Sequence, residues 1–309
     1  MCRPRRLSFA DLDGWAGEDH AAALRVYGTT ADLIPPAWPR PDGSDPRRFI
    51  ETHFQPVEED AESVLITGYY EPVIDGSLTP DERFTAPLYA PPDGLQQGSP
   101  WFSRSEIEEH GHLRGHELVW IESPLEAFLA QVQGSARLRL TDGTCLRLGY
   151  AGRNGHPYRS IGAELVQTGQ IDAAEISVDT IRVWCWQNPG RVADLLRTNP
   201  SYVFFKRVDL APDSGPIGTI GRPVTALRSI AVDPKAIPLG AMVWVECRGE
   251  TPLRRLMTAQ DTGSAIQGPG RVDIYCGAGP EAGSRAGRMR NSGRIVTLLP
   301  REMVDGAPG

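Results

Sequence analysis

Two aspartates, Asp261 and Asp273, stand twelve residues apart in the stretch AQDTGSAIQGPGRVDIYCGAG. Three chemistries are open to such a pair. Asp261 lies in Asp-Thr-Gly-Ser, the turn that supplies half of an aspartic protease site. That reaction needs two carboxylates sharing one proton, so two such turns must face each other. The other candidate turn, Asp213-Ser214-Gly215, is just 48 residues upstream and runs into Pro216. A homodimer built on one turn would come from a far shorter chain, so the protease reading is disfavoured. The second chemistry is glycosidic cleavage, in which a carboxylic acid protonates the leaving oxygen and hydrolases add a second carboxylate. Asp273, between Val272 and Ile274 on a strand, can be desolvated, which raises its pKa and keeps it a proton donor. The third reading is structural: aspartates in a glycine-rich segment commonly just order turns.

Other residues fit a sugar ligand. Sugar C–H faces stack on aromatic rings, and Tyr69, Tyr70, Trp101, Phe102, Trp120, Tyr158, Trp184, Trp186, Tyr202, Phe204 and Phe205 supply such rings. Phe204, Phe205 and Trp184 read as core. Adjacent side chains on a strand face opposite ways, so one of Tyr69 and Tyr70 is expected to be exposed. Gln133, Ser135, Asn154 and Tyr158 offer neutral hydrogen-bonding groups beside glycines, where a ligand can approach the backbone, although ordinary turn chemistry uses the same residues. His110, His112 and His116, spaced i, i+2, i+6 and broken by Gly111 and Gly115, make a poor metal set. Arg285, Arg288, Arg290 and Arg294 in SRAGRMRNSGR read as a solvated loop able to meet an anion.

The elements that must position these groups are mostly strands. SVLITGYYEPVI (63–74) reads as a strand stopped by Asp75-Gly76. SARLRLTDGTCLRLGYAG (135–152) is a hairpin, with Leu138, Leu140, Leu146, Leu148 and Tyr150 on a buried face, Arg137, Arg139 and Arg147 on a wet one, and Asp142-Gly143 at the turn. SYVFFKRV, RSIAVD, AMVWVEC, RLMTAQD, RVDIYCG and RIVTLLP read as further strands. Helical patterns are confined to DHAAALRVYG, PRRFIETHF, RSEIEEHGHL (with Ser103 or Ser105 as N-cap) and 179–200. The break near 180–200 reads as a handover between domains.

Composition agrees. In 309 residues there are 33 glycines and 27 prolines, which favours short strands and turns over a helical bundle. A net charge of -7 gives no reason to expect nucleic acid. No run of 18 apolar residues indicates a membrane span. Five dispersed cysteines (Cys2, Cys145, Cys185, Cys247, Cys276) lack a Cys-x-x-Cys and read as buried thiols, with a disulfide left open. The first residues, MCRPRRLSFADLDGWAGEDH, have no apolar core of a secretory signal, and Cys2 so close to Met1 is weak evidence for lipid attachment.

The sequence resembles the MltA family of membrane-bound lytic murein transglycosylases. The likeness runs through GYYEPVI (68–74), QGSARLRL (133–140), GYAGRNGHPYRSIG (149–162) and NPSYVFF (199–205). It continues into a segment with three aspartates, called 3D: Asp233 in AVDPKAIPLG, Asp261 in AQDTGSAI and Asp273 in RVDIY. The resemblance implies a mainly β protein: a double-psi β-barrel from residues 1–79 and 185–309, an inserted β-domain at 80–184, and a glycan groove between them. It implies a carbon–oxygen lyase that cuts the β-1,4 bond between N-acetylmuramic acid and N-acetylglucosamine in peptidoglycan without water, leaving 1,6-anhydro ends. By motif position Asp273 corresponds to the single general acid/base, with Asp261 the neighbour whose charge raises its pKa. Asp233 corresponds to a structural aspartate. Tyr69, Tyr70, Glu71, Gln133, Ser135, Asn154, Tyr158, Ser201 and Tyr202 correspond to substrate-binding positions. No cofactor or metal is implied. The expected partners are glycan strands and cell-wall synthesis or division complexes, the expected state a monomer, and the expected place the periplasm, associated with the outer membrane. Two rival expectations are a non-catalytic glycan-binding barrel and a hydrolase with Asp261 or Glu71 as base. Ser264, in place of the family's usual second glycine, and a GPGR run one residue longer than usual depart from the pattern between the two aspartates.

Overall fold

A computed structural model describes residues 4–305 except 60, 97, 250 and 251; Cys2 lies outside the described residues. The described chain is mainly β and forms two compact units. One gathers the residues up to Tyr70, Asp213–Gly277 and those from Glu281 on; the other gathers Glu71–Pro212 and Ala278–Pro280.

In the first unit the strand order is Arg5–Arg6, Phe54–Glu58, Arg290–Pro300, Met242–Arg248, Leu253–Asp261, Ser229–Ala231, Arg271–Ala278 and Leu65–Glu71. Leu65–Glu71 pairs back onto Arg290–Pro300, with Thr67 opposite Arg290 and Ile66 opposite Asn291, so six strands close into a barrel and no edge of these six is left over. The strand Met242–Arg248 is buried on both faces up to Cys247, because the interior takes one side and the N-terminal segment covers the other. That double burial explains the apolar run from Ala241 to Val245. Trp15 packs edge-on to Trp244 at 5.4 Å, and Glu18 ties the segment down by accepting from Arg228 Nη1 (2.7 Å) and Leu256 N (2.8 Å). Each fully buried large side chain such as Trp244, Phe54 or Ile66 contributes roughly 1.5–3 kcal/mol.

The second unit is a six-stranded sheet in the order Ala86–Tyr89, Glu117–Ile121, Val73–Ser77, Ala136–Leu140, Cys145–Arg153 and Val203–Arg207. Its first and last strands lie side by side, so it nearly closes. Leu88, Val119, Ile121, Leu138, Leu148 and Phe205 fill it. Helices Pro124–Gln133, Ile161–Gln167, Val178–Gln187 and Val192–Arg197 form a second cluster around Phe128 and Trp184. The short helix Arg104–His110 is capped by Ser103, with Glu106 closing the box and Gly111 (φ 64°) ending it.

Three expectations change. The strand over 63–74 is interrupted at Pro72 and then runs through Asp75-Gly76, which pair with Arg139 and Leu140. Gly76 is there for close packing: a Cβ would lie 3.1 Å from Val119 Cγ2 and 3.2 Å from the Trp120 carbonyl oxygen. The hairpin register is as expected, with Leu138 opposite Leu146, but its arginine face is only partly wet: Arg139 is exposed, Arg137 is half-buried and Arg147 is buried. The 284–294 stretch is no loop. It is the end of helix Gly279–Arg288 and the start of strand Arg290–Pro300, because Ala282, Ala286 and Met289 join the barrel core and Gly283 lets the Tyr70 ring lie against the helix.

Candidate active site on the barrel wall

The short strand Ser229–Ala231 lies between the strands that carry the two aspartates. Ala231 pairs with Asp273 on one side and Asp261 on the other. Register partners share a face of the sheet, and two strand spacings put the backbones about 10 Å apart. Ala231, between them, projects no more than a methyl group. The pairing with Asp261 depends on a register shift between Ile230 and Ala231. Without it Ala231 would meet Gln260, and Asp261 would turn to the opposite face. Thr67 and Tyr69 alternate with the buried Ile66 on Leu65–Glu71, and so join the same face.

The two carboxyls are bonded unequally. Asp261 Oδ1 accepts from Thr219 N (3.0 Å), Thr219 Oγ1 (3.0 Å) and Thr262 N (2.9 Å), and Oδ2 accepts from Tyr69 OH (2.9 Å). Asp273 Oδ1 is 2.6 Å from Thr67 Oγ1. Burial is the largest influence on both and raises both pKa values. For Asp261 that rise is opposed by the bonds from Thr219, Thr262 and Tyr69. For Asp273 it is opposed by Thr67 and the Arg271 charge, while the charge of Asp261 adds to it. Burial therefore leads, and the charge of Asp261 is a smaller contribution than the sequence reading gave it. Burial, with the charge of Asp261 behind it, also holds the Tyr69 hydroxyl protonated well above its ordinary range. Two of the four donors on Asp261 are main-chain N–H groups, which cannot accept and so favour its anion, whereas the one partner of Asp273 is a hydroxyl.

Asp233 is elsewhere in role. It accepts from Lys235 N (3.0 Å) and Gly268 N (2.8 Å), and these backbone bonds lower its pKa. It clips the turn after Ala231 to the loop between the two site aspartates.

The remaining named residues are distributed as follows. Tyr70 packs on the barrel core; both it and Tyr69 are half-buried, so neither is the exposed member of the pair. Glu71 is 1% exposed and sits between Arg147, at 2.9 and 3.0 Å, and Arg137, at 2.5 Å. Asn154 is fully buried: Nδ2 donates to the Phe102 and Pro200 carbonyls (both 2.8 Å) and Oδ1 accepts from Tyr202 N (2.7 Å). Ser201 and Tyr202 are buried around Arg104, whose guanidinium lies 4.6 Å over the Tyr202 ring and donates to the Ser201 carbonyl (2.9 Å). Ser135 is buried, Gln133 half-buried, and Tyr158 half-buried against the helical cluster. Asn154, Ser201 and Tyr202 are thus parts of one hydrogen-bonded joint between 101–104, 154 and 199–202. Asn154→Leu is expected to cost about 2–4 kcal/mol by stranding these main-chain groups, read as a lower urea midpoint with an unchanged slope.

Sequence reading passed over Thr67, Thr219, Ala231 and Arg104. No local signal marks them, since each acts through pairing with distant strands or loops. Cys185, Cys247 and Cys276 are buried free thiols as expected, whereas Cys145 is a free thiol that is exposed. Among the described residues no helix is long and apolar enough to cross a membrane.

Comparison with known proteins places the chain. A family profile described as the MltA specific insert domain matches residues 65–206, and one described as the 3D domain matches residues 228–299. The chain is 37% identical over 247 residues to membrane-bound lytic murein transglycosylase A of Escherichia coli K12; the match takes in 76% of this chain and 66%, just under two thirds, of that protein. A crystal structure of a membrane-bound lytic murein transglycosylase from Agrobacterium tumefaciens is similar at 31% identity and TM-score 0.86, with 99% of each chain covered. The lytic transglycosylase LtgG of Burkholderia pseudomallei is 38% identical, with TM-score 0.64 and coverage of 97% of this chain and 96% of that one. Escherichia coli MltA, solved with bound chitohexaose, matches at 32% identity and TM-score 0.71 over 91% of this chain and 85% of that one. With both domain profiles in order and relatives above 30% identity matched over nearly their whole length, the chain belongs to the MltA family.

Proposed function

We propose that this protein is a peptidoglycan lytic transglycosylase of the cell envelope, with Asp273 as its single general acid/base. The observation that carries the reading is the unequal bonding of the aspartate pair: four donors on Asp261 against one hydroxyl on Asp273. Protonated Asp273 gives its proton to the oxygen leaving C1 of the muramyl residue. The resulting carboxylate then takes the proton of the muramyl 6-hydroxyl as that oxygen closes on C1. Bond count and charge balance with no water consumed. The nucleophile is tethered to the reacting ring, so its effective concentration is high and no enzyme nucleophile is needed. Asp261 stays anionic beside the developing positive charge at C1.

The same bonding argues against a two-carboxylate hydrolase. Three donors crowd Asp261 Oδ1 and Tyr69 holds Oδ2, and bonds of this kind favour the anion over uptake of a proton. Glu71, buried between two arginines, is not placed to take a proton from water. The relatives' names supply the substrate, murein, and a bound chitohexaose in one of them supplies the kind of chain. The test is digestion of purified sacculi followed by mass analysis of the muropeptides. Ends one water lighter than a reducing end are expected. Reducing ends would refute the reading, and intact sacculi with bound protein would leave a glycan-binding barrel.

A further inference from the structure

Asp261 owes half of its donors to a segment outside the barrel strands. Residues 216–224 form a small hairpin closed by an Ile217–Pro223 bridge, Gly218 N to Arg222 O (2.9 Å) and Val224 N to Pro216 O (2.9 Å). It lies directly on the wall. A Cβ on Gly218 would stand 2.4 Å from the Gln260 carbonyl oxygen, and Ile220 N donates to that same oxygen at 3.1 Å. At the base, a Cβ on Gly215 would stand 2.0 Å from Val224 O. At the tip, Arg222 donates to the Thr29 carbonyl (3.1 Å) and pairs with Asp32. The hairpin thereby holds Thr219 N and Oγ1 on Asp261 Oδ1, while Thr219 Oγ1 is also 2.7 Å from Thr262 Oγ1.

We infer that Thr219 is a positioning residue, and that the 216–224 hairpin is the device that keeps Asp261 ionised so that the working proton stays on Asp273. This rests on the acid/base reading above and adds to it the group that decides where the proton sits. With the one hydroxyl hydrogen of Thr219 on the Asp261 carboxylate, Thr262 Oγ1 is left to donate to Thr219 Oγ1, so the chain of donors points one way. The titratable and charged groups around the pair are Tyr69 from the neighbouring strand, Tyr275 on the strand of Asp273 with its ring against Tyr69, and Arg271 beside Asp273. None of them substitutes for Thr219, since Tyr69 is already on Oδ2 and Arg271 acts on Asp273. Thr219 is exposed, so replacing its hydroxyl with a methyl leaves the core untouched.

The test compares wild type, Thr219→Val and Thr219→Ser in two readouts. In the pH profile of kcat/KM on soluble glycan chains, the acid limb reports protonation of the Asp261 anion. In Thr219→Val it is expected to move up by roughly one pH unit, as follows when a carboxylate loses one charge-assisted donor, and in Thr219→Ser to return to the wild-type position. In a carbon-13 carboxyl titration, which needs no turnover, the Asp261 midpoint is expected to move up by a similar amount in Thr219→Val only. An unmoved limb together with an unmoved midpoint overturns the inference and leaves Thr219 a structural contact. A limb displaced as far in Thr219→Ser as in Thr219→Val also overturns it. Failure of the underlying reading looks different: Asp273→Asn would keep its activity, whatever the carboxyl titration of Asp261 shows.

Discussion

Asp273→Asn is expected to lower the rate of glycan cleavage by on the order of 10²–10⁴-fold, the usual weight of a positioned general acid/base. The amide keeps the size of the side chain and its bond to Thr67, but it cannot deliver a proton to a leaving oxygen. Glycan binding is expected to persist, so the loss belongs in kcat rather than KM. The same change has a second, opposite consequence. Burial raises the folded-state pKa of Asp273, so the folded protein binds this proton more tightly than the unfolded chain does. A group raised in this way contributes stability at acid pH and loses it as pH climbs through the window between its unfolded and folded pKa values. At neutral pH the wild-type carboxyl is therefore a burden that the amide lifts. The melting temperature of Asp273→Asn is expected to match or exceed that of wild type at pH 7, with the gap closing as pH falls toward 4. A mutant that was inactive and also less stable at pH 7 would point to a collapsed site instead.

Glu71→Gln is expected to destabilise the second unit by about 3–5 kcal/mol, the usual cost of removing one partner from a buried ion pair. Glu71 pairs with both Arg147 and Arg137, and Arg147 is itself buried. Arg147 also donates to the Ala211 carbonyl (3.0 Å) and Arg137 to that of Pro212 (2.5 Å), so the cluster fastens the 211–212 segment as well. The neutral amide removes the negative charge that the two guanidinium groups share. Differential scanning calorimetry reads the result as a lower transition temperature, accompanied by earlier proteolysis near 211. Activity lost without loss of stability would instead make Glu71 a member of the substrate site.

Much of this molecule could be read from its residues, and the reasons are local. Alternating leucines about Asp142-Gly143 specify a hairpin because a strand has period two. Val272 and Ile274 announce that Asp273 comes from a desolvated strand. What could not be read is what distant segments do to each other. Arg137 and Arg147 of the hairpin look wet until Glu71 arrives beside them. Asn154 looks like a ligand group until three main-chain partners claim it. The register shift beside Ala231 decides which face Asp261 occupies, and no residue advertises it. Thr219, 42 residues before Asp261, becomes relevant only because two glycines let its hairpin lie on the barrel.

The central claim is that one aspartate moves one proton and no water enters the product. The most direct measurement is digestion of glycan strands in water enriched in oxygen-18, followed by mass spectrometry of the new muramyl ends. The expected product is a 1,6-anhydro end that carries no label. Incorporation of one labelled oxygen at C1 would contradict the account, since it would make water the nucleophile and require a base that Asp261 and Glu71, as they are bonded here, are not placed to be.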